Sequence, residues 1–148
     1  MKAKDIMTKN VVTVTPDTLI EDIVKLMIKH HISGLPVVDD SGKMIGIVSE
    51  KDLILKERGF PFSVLRVPGL VDRLISLDDF TEEVAEVRKK TAATVMTTDI
   101  ITAHPDDAVG HVAWEMVQTN HNRIPVVEDG VLIGIITRAD IIRLYAKE

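Results

Sequence analysis

The stretch IMTKNVVTVTPDTLIEDIVKLMIKHHISGLPVVDD (residues 6–40) decides the fold, because it recurs without a gap as VMTTDIITAHPDDAVGHVAWEMVQTNHNRIPVVED (95–129). A one-residue deletion opposite Ser41 then aligns GKMIGIVSEKDLI (42–54) with GVLIGIITRADII (130–142). Sixteen of the 48 aligned pairs are identical. A repeat of this length predicts two copies of one structural unit.

Each copy is predicted to fold as β-α-β-β-α. In the first copy, a short strand at 11–14 ends before Pro16, and Thr18 with Glu21 has the spacing of a capping box for the next helix. Apolar residues recur at helical spacing after it. The predicted hairpin turns lie at 40–43 and at 128–131, where Asp-Gly is a strong hairpin signal. The remaining strands and the closing helix are predicted at 35–38, 44–49 and 50–58 in the first copy and at 124–127, 132–137 and 138–146 in the second.

The predicted fold class is α/β (α+β), with the two repeats related by a pseudo-two-fold axis. One copy alone has three short strands and one apolar face to cover, so the small sheets are expected to pack together with helices outside. The predicted organisation is repeat 1 at 1–58, a partly helical insert at 59–94 and repeat 2 at 95–148. Within the insert, Asp79 and Glu82 are placed to cap a helix that runs to about Lys90.

The composition excludes several functional classes. Hydrophobic residues make up 45% of the 148 residues but aromatic residues only 3%, so the core is expected to be aliphatic. The net charge of −5 disfavours direct nucleic-acid binding, which depends on Lys and Arg. The absence of cysteine excludes disulfides, thiolate metal sites and a cysteine nucleophile. No apolar run approaches the roughly 18 residues that span a bilayer, so we expect a cytoplasmic protein without a membrane segment.

The sharpest functional candidates are GIVSEKD (46–52) and GIITRAD (134–140). In each, a strand ends at Ser or Thr and an Asp follows three residues later, at the start of a helix. Unpaired N–H groups at a helix start bind phosphate, and a carboxylate one turn on accepts hydrogen bonds from ribose hydroxyls. The same spacing also describes an ordinary N-capping pair. The residues alone leave both interpretations open.

The complete pattern resembles the cystathionine β-synthase (CBS) domain, which occurs in tandem pairs called Bateman modules. The matching segments are DIMT (5–8) and TVMT (94–97), LPVVD (35–39) and IPVVE (124–128), and the two closing motifs described above. The resemblance covers both repeats and leaves only the linker outside.

The resemblance implies a module that senses adenosine-containing ligands (AMP, ADP, ATP or S-adenosylmethionine) in two clefts between the repeats. Arg123 fits the family's phosphate-contacting position, but it aligns with Gly34 in the first repeat. Tighter binding is therefore expected in the main cleft, since an arginine fork is a preorganised phosphate partner. The residues carried over are Lys4 (backbone), Ile32, Ser33, Arg123, Thr137 and Asp140 for the main cleft, and Ala93 (backbone), His121, Asn122, Ser49 and Asp52 for the second.

The resemblance further implies a regulatory protein, not an enzyme, whose adenosyl compound is a regulatory ligand and not a catalytic cofactor. A homodimer and a separate effector protein are the expected partners. The alternative is a ligand-free structural or dimerisation scaffold in which the Ser/Thr-x-x-Asp elements serve only as caps. An enzyme is a third possibility, but no nucleophile–base pair or metal constellation supports it.

Other polar clusters have simpler interpretations. His30 and His31 fall at a predicted helix end and His121 belongs to the other repeat, which favours helix-end residues over a metal site. The acidic pairs at 39–40, 78–79 and 106–107 fall in turns or at helix starts, where carboxylates bond to local backbone. They are not interpreted as catalytic pairs.

Trp114 occupies the position of Lys25 in the first repeat. A single large apolar residue on an otherwise charged helix face indicates an interface. A buried tryptophan is the alternative.

Overall fold

The computed structural model describes residues 1–55 and 85–146, without the side chains of residues 54 and 55. Within these ranges the chain combines helices with two small antiparallel sheets, which confirms the predicted fold class. The helices are α1 (Ala3–Ile6), α2 (Ile20–His30), α3 (Glu50–Leu55), α4 (Ala92–Val95), α5 (Val109–Thr119) and α6 (Arg138–Arg143), and a 3-10 turn follows at Leu144–Ala146. The strands are β1 (Gly34–Val38), β2 (Met44–Ser49), β3 (Arg123–Glu128) and β4 (Val131–Thr137).

Both hairpins turn where the sequence predicts. Between β3 and β4, Asp129 and Gly130 have φ angles of 52° and 79°, the pair of positive values that a tight hairpin turn requires. Between β1 and β2, the Asp39 carboxylate accepts hydrogen bonds from the amides of Ser41 and Lys43 at 2.9 and 3.0 Å. The bond from the Ser41 hydroxyl is the main reason that the pKa of Asp39 lies below its usual value.

The first strand of each repeat is reduced to a single bridge. The Val14 amide donates to the Pro36 carbonyl at 3.1 Å, and the Ala103 amide donates to the Pro125 carbonyl at 2.9 Å. Each pairing is parallel. A longer ladder is not built because proline has no N–H to return to the neighbouring strand.

The capping box predicted for α2 is wrong. The helix begins at Ile20, and no side chain caps it. Instead, the amides of Ile20 and Glu21 donate to the carbonyls of Lys90 and Arg88 at 2.9 and 3.1 Å. Backbone near the C-terminal end of the insert therefore satisfies the donors at this helix start. The helix predicted from residue 79 begins outside the described residues.

The contacts group the chain into two compact units that do not coincide with the repeats. Unit 1 comprises Met1–Thr13, Val38–Ile45 and Asp99–Glu148, and unit 2 comprises Val14–Val37 and Gly46–Thr98. Each unit thus combines the lead-in segment of one repeat (residues 1–13 of the first, residues 92–98 of the second) with the helix and strands of the other repeat, and unit 1 also contains the hairpin tip of the first repeat, 38–45.

In unit 1, the lead-in segment of the first repeat lies on β4. Thr8 and Ile135 exchange two backbone hydrogen bonds, of 2.9 and 3.0 Å. Next to them, Met7 covers Gly134 so closely that a Cβ at this glycine would lie 2.8 Å from Met7 Cγ. Position 134 therefore has no room for a side chain.

Unit 2 repeats this arrangement with the segments reversed. Ile47 and Thr97 exchange hydrogen bonds of 2.9 and 3.0 Å. A Cβ at Gly46 would lie 2.9 Å from Met96 Cγ. The identical methionines and glycines of the alignment therefore contact each other crosswise, between repeats.

Each unit has an aliphatic core, as the composition predicts. Among the described helices, none is long and apolar enough to cross a membrane. The buried core of unit 1 includes Ala3, Ala103, Val112, Met116, Ile124, Val126 and Ile136. The buried residues of unit 2 include Val14, Ile20, Ile23, Met27, Leu35, Val37, Val48, Ala92 and Val95.

Candidate functional site

Thr137 and Asp140 form a closed hydrogen-bonded pair where β4 passes into α6. The amide and the hydroxyl of Thr137 both donate to Asp140 Oδ2 at 2.8 Å. The Asp140 amide approaches the Thr137 hydroxyl oxygen at 3.4 Å in return. Asp140 is buried, with 9% of its surface exposed. This reciprocal arrangement is a capping box, so the capping interpretation of the second motif is confirmed.

Two arginines accompany this pair. Arg123 is the cross-strand partner of Thr137, and residues paired in this way have their side chains on the same face of the sheet. Arg143, one turn along α6, donates from Nη1 to Asp140 Oδ1 at 2.7 Å. Sequence analysis singled out Arg123 but missed Arg143. The three-residue spacing between Asp140 and Arg143 was the available signal.

Ser49 and Asp52 build the equivalent pair in unit 2. The amide and the hydroxyl of Ser49 donate to Asp52 Oδ2 at 2.8 and 3.2 Å. The other carboxylate oxygen accepts a hydrogen bond of 2.8 Å from the Thr97 hydroxyl. Asp52 is 8% exposed, so both aspartates are held almost entirely within the protein. Sequence analysis did not identify Thr97, because its contact joins residues 45 positions apart.

The backbone of the residues before β1 and β3 is hydrogen-bonded to the helix starts that carry these pairs. The Ser33 carbonyl accepts from the Glu50 amide at 3.0 Å, and the Asn122 carbonyl accepts from the Arg138 amide at 3.0 Å. Ser33 is thus in unit 2 with Ser49, and Asn122 is in unit 1 with Thr137.

Ile32 and His121 follow the left-handed residues that end α2 and α5. Their amides donate to the last turns of those helices at 3.0 and 3.1 Å. Each cleft set therefore draws residues from both units, and its grouping stays a prediction.

The backbone positions predicted to contact adenine already use their amide groups. The amides of Lys4 and Ala93 donate to the carbonyls of Pro105 and Pro16, both at 3.0 Å. A ligand contact at either residue would have to involve the carbonyl oxygen, which is an acceptor for an amino group.

The Lys4 side chain has a separate role. Lys4 Nζ and Lys2 Nζ donate to the same oxygen of Asp106 at 2.8 and 2.9 Å. These bonds, that of Lys4 first, lower the pKa of Asp106 to about 2. The pKa of Lys4 is raised, mainly by the same bond. This cluster ties the N-terminal segment to the turn before α5.

The other polar clusters lie at a helix end or bond to nearby backbone. Helix α2 ends at His30, and His31 follows in the left-handed conformation, so both lie at the helix end as predicted. The Asp107 carboxylate accepts from the His104 amide at 2.7 Å. Over residues 1–55 and 85–146, no three His, Asp or Glu side chains are grouped to hold a metal ion.

Trp114 is exposed on α5, with 55% of its surface accessible, which excludes the buried alternative within the chain. The His111 ring is stacked on it, with centroids 6.1 Å apart. Val117 is 71% exposed on the same helix, and its counterpart in the first repeat, Ile28, is 69% exposed on α2.

Unit 1 also contains an open cavity of about 250 Å³. It lies away from the motif residues, and none of the predicted site residues lines it. Its lining residues are Ile101, Thr102, Ala103, Asp107, His111, Val112, Glu115 and Ile124.

Comparison with known proteins finds the same pattern elsewhere. The family model of the CBS domain matches residues 3–59 and 92–147. An uncharacterized protein of Methanocaldococcus jannaschii, MJ1426, is 36% identical over 156 residues, covering 96% of this chain and 89% of that protein. The CBS domain pair of protein MJ0100, solved in complex with 5′-methylthioadenosine and S-adenosyl-L-methionine, has a TM-score of 0.71 at 32% identity. That match covers 99% of this chain and 96% of the other.

A second solved structure, CBSX2 in complex with AMP, has a TM-score of 0.73 at 26% identity and covers 98% of this chain and 96% of the other. Longer proteins contain a similar region. L-aspartate semialdehyde sulfurtransferase of M. jannaschii is 34% identical over 143 residues, but this chain spans only 23% of its length. In that relative, the matching region is one part of a larger protein.

Proposed function

The chain belongs to the CBS domain family as a tandem pair, and from that premise we propose that it is a regulatory module that binds an adenosine-containing ligand. It acts by differential affinity, because a ligand that binds one arrangement of the chain more tightly shifts the population toward that arrangement. It catalyses no reaction, and its state is read by a separate effector protein. We place it in the cytoplasm, where adenine nucleotides are available.

The observation that carries this proposal is the pair of hydroxyl–carboxylate motifs at helix starts. Two CBS-pair structures similar to this chain were solved with AMP or with S-adenosyl-L-methionine and 5′-methylthioadenosine, all of which contain adenosine. In this chain, Thr137 supplies a hydroxyl for phosphate, and Asp140 supplies a carboxylate for the ribose hydroxyls. Ser49 and Asp52 supply the same groups in unit 2.

The two motifs differ in nearby positive charge, and this difference predicts which of them binds a nucleotide more tightly. Arg123 lies on the same sheet face as Thr137, whereas the residue that aligns with it in the first repeat is Gly34, which has no side chain. A charged hydrogen bond to phosphate contributes about 1.5–3 kcal/mol. We therefore expect tighter nucleotide binding with the Thr137 motif, together with Lys4, Ile32 and Ser33 in the main cleft. The second cleft would use Ala93, His121, Asn122, Ser49 and Asp52.

Calorimetric titration of AMP, ATP and S-adenosylmethionine into the full chain tests the proposal. Asp140→Asn keeps an oxygen acceptor for the cap but removes the carboxylate charge, and Asp52→Asn is the matched control in the other unit. Asp140→Asn should weaken binding of the tightest ligand more than Asp52→Asn does. Unchanged affinity in Asp140→Asn, with an unchanged melting temperature, would contradict the proposed site.

A scaffold without a ligand is the second candidate, and the closed capping box of Thr137 and Asp140 favours it. The two functions differ in a thermal-shift scan with adenosyl compounds. A ligand present at 100 times its dissociation constant stabilises the folded state by about 2.7 kcal/mol. A melting temperature unmoved by all of these compounds at high concentration would favour the scaffold.

We also propose a homodimer in which the exposed apolar residues of α2 and α5 are covered. Trp114, Val117 and Ile28 are each more than half exposed, although such side chains are usually buried. Trp114→Lys introduces the residue found at position 25 of the first repeat and should shift the protein toward monomer in sedimentation equilibrium. Tyr145→Lys, on the turn after α6, is a control for added charge. A monomeric wild-type protein would contradict the dimer.

A further inference from the structure

Arg143 donates a hydrogen bond to Oδ1 of Asp140, the carboxylate oxygen that accepts no bond from Thr137. Its Nη1 lies 2.7 Å from Oδ1, while Oδ2 receives both donors of Thr137. The two partners differ greatly in exposure, since the Arg143 side chain is 70% accessible and the Asp140 side chain 9%. The carboxylate is held by Thr137 within the protein, and its guanidinium partner is largely exposed to solvent.

In unit 2, the Asp52 oxygen that does not accept the bonds from Ser49, Oδ1, accepts a hydrogen bond of 2.8 Å from the Thr97 hydroxyl. The residue that aligns with Arg143 in the first repeat is Leu55, which carries no charge. The residue at the position of Arg143 is therefore a cation in one motif and a neutral side chain in the other.

We propose that Arg143 is a specificity-determining residue that selects phosphorylated adenosine ligands over neutral ones. This inference rests on the proposed function, in which a ribose hydroxyl binds Asp140. Oδ2 already accepts both bonds from Thr137, so the ribose would bond Oδ1. Arg143 uses one acceptor site of that oxygen, and because the Asp140 side chain is only 9% exposed, the hydroxyl and the guanidinium compete for the same approach. A neutral nucleoside displaces the guanidinium and gives it no new partner.

A phosphorylated ligand changes the balance at the same site. The released guanidinium is on a flexible, exposed side chain, and a phosphate group is a strong bidentate partner for arginine. The loss of the Asp140 contact is then offset by a contact with the ligand. Arg143 thus lowers the affinity for adenosine but does not lower the affinity for AMP.

Calorimetric titration of adenosine and AMP into the wild-type full chain, Arg143→Gln and Arg138→Gln tests this inference. Arg138 is the matched control, because its side chain bonds Asn120 and not Asp140. Arg143→Gln should bind adenosine about two- to fivefold more tightly, the effect expected of a partly exposed ion pair, and should bind AMP no more tightly than wild type. Arg138→Gln should leave the ratio of the two affinities unchanged.

The salt dependence is a second readout that a purely structural role of Arg143 would not alter. Added NaCl screens the exposed ion pair, so the affinity of wild type for adenosine should rise with salt, and this rise should vanish in Arg143→Gln. If wild type binds AMP and the ratio of affinities is the same in Arg143→Gln, the inference is overturned and the proposed function stands. If neither ligand binds any of the three proteins, the inference is overturned, and titration of ATP and S-adenosylmethionine then decides the proposed function separately.

Discussion

Replacing Gly134 by alanine should destabilise the protein through a single contact. A Cβ at this position would lie 2.8 Å from Met7 Cγ and 3.1 Å from Met7 Cβ. The outer part of the methionine can rotate away, but its Cβ moves only with the backbone of the lead-in segment. Overpacking of this kind costs about 1–3 kcal/mol.

A part of that cost is recovered, because alanine is better suited than glycine to a strand interior by about 0.5–1 kcal/mol. The net loss is therefore about 0–2.5 kcal/mol, centred near 1 kcal/mol, which lowers the melting temperature of a chain of this size by up to roughly 10 °C. Thermal unfolding followed by circular dichroism or calorimetry, without ligand, measures the shift.

A double-mutant cycle identifies the contact responsible. Met7→Ala removes the sulfur and Cγ, which lie nearest to the new methyl group, and leaves only the Cβ contact at 3.1 Å, so Gly134→Ala should cost less in the Met7→Ala background than in wild type. Met96→Ala is the matched control, since Met96 covers Gly46 instead, and its effect should add to that of Gly134→Ala. Equal costs of Gly134→Ala in the wild-type and Met7→Ala backgrounds would refute the reasoning.

Three further predictions concern other elements. Gly130→Ala should destabilise by about 1–2 kcal/mol in thermal melts because its φ is 79°; a Cβ there would meet only the Lys43 side chain at 3.9 Å, so no clash adds to this cost. Gly110→Ala in α5, where the space is open, should be neutral or stabilising, and equal effects of the two substitutions would contradict this. Thr97→Val should destabilise by about 1–3 kcal/mol by removing a donor from buried Asp52, while Thr98→Val should change little. The pKa of Asp106 is lowered to about 2 in the folded protein, so the stability that its ion pairs contribute is complete above the unfolded pKa and is lost as the pH falls from about 4 to 2. The difference in melting temperature between wild type and Asp106→Asn should therefore shrink over that range. A constant difference would contradict the ion pair.

Local signals in the sequence predicted local structure well. The Asp-Gly at 129–130 predicted its turn, and the spacing of Thr137 and Asp140 predicted a cap, which the hydrogen bonds confirm. These features depend on residues a few positions apart, whose relative placement is fixed by backbone geometry. The spacing did not separate the capping from the ligand-binding interpretation, because both use the same atoms.

Predictions failed where distant backbone replaced a local partner. Thr18 and Glu21 have the spacing of a capping box, but carbonyls of Arg88 and Lys90 bind the amides at the start of α2. The hydrogen bond from the Thr97 hydroxyl to Asp52 was not predicted because its donor also comes from a distant segment. A single sequence indicates which groups need partners but does not reveal which distant segment supplies them.

The crosswise placement of the lead-in segments bears on how such a chain arose. Thr8 now pairs with β4 and Thr97 with β2. In a chain with a single copy of the repeat, the corresponding strand edge would be uncovered unless the lead-in segment of a second molecule paired with it. A single-copy ancestor would thus be an arm-exchanged dimer. Joining two copies in one polypeptide turns that bimolecular exchange into an intramolecular one, with an effective concentration set by the linker instead of by expression level. The insert at 59–94 joins the two copies covalently, and that connection is what makes the exchange intramolecular.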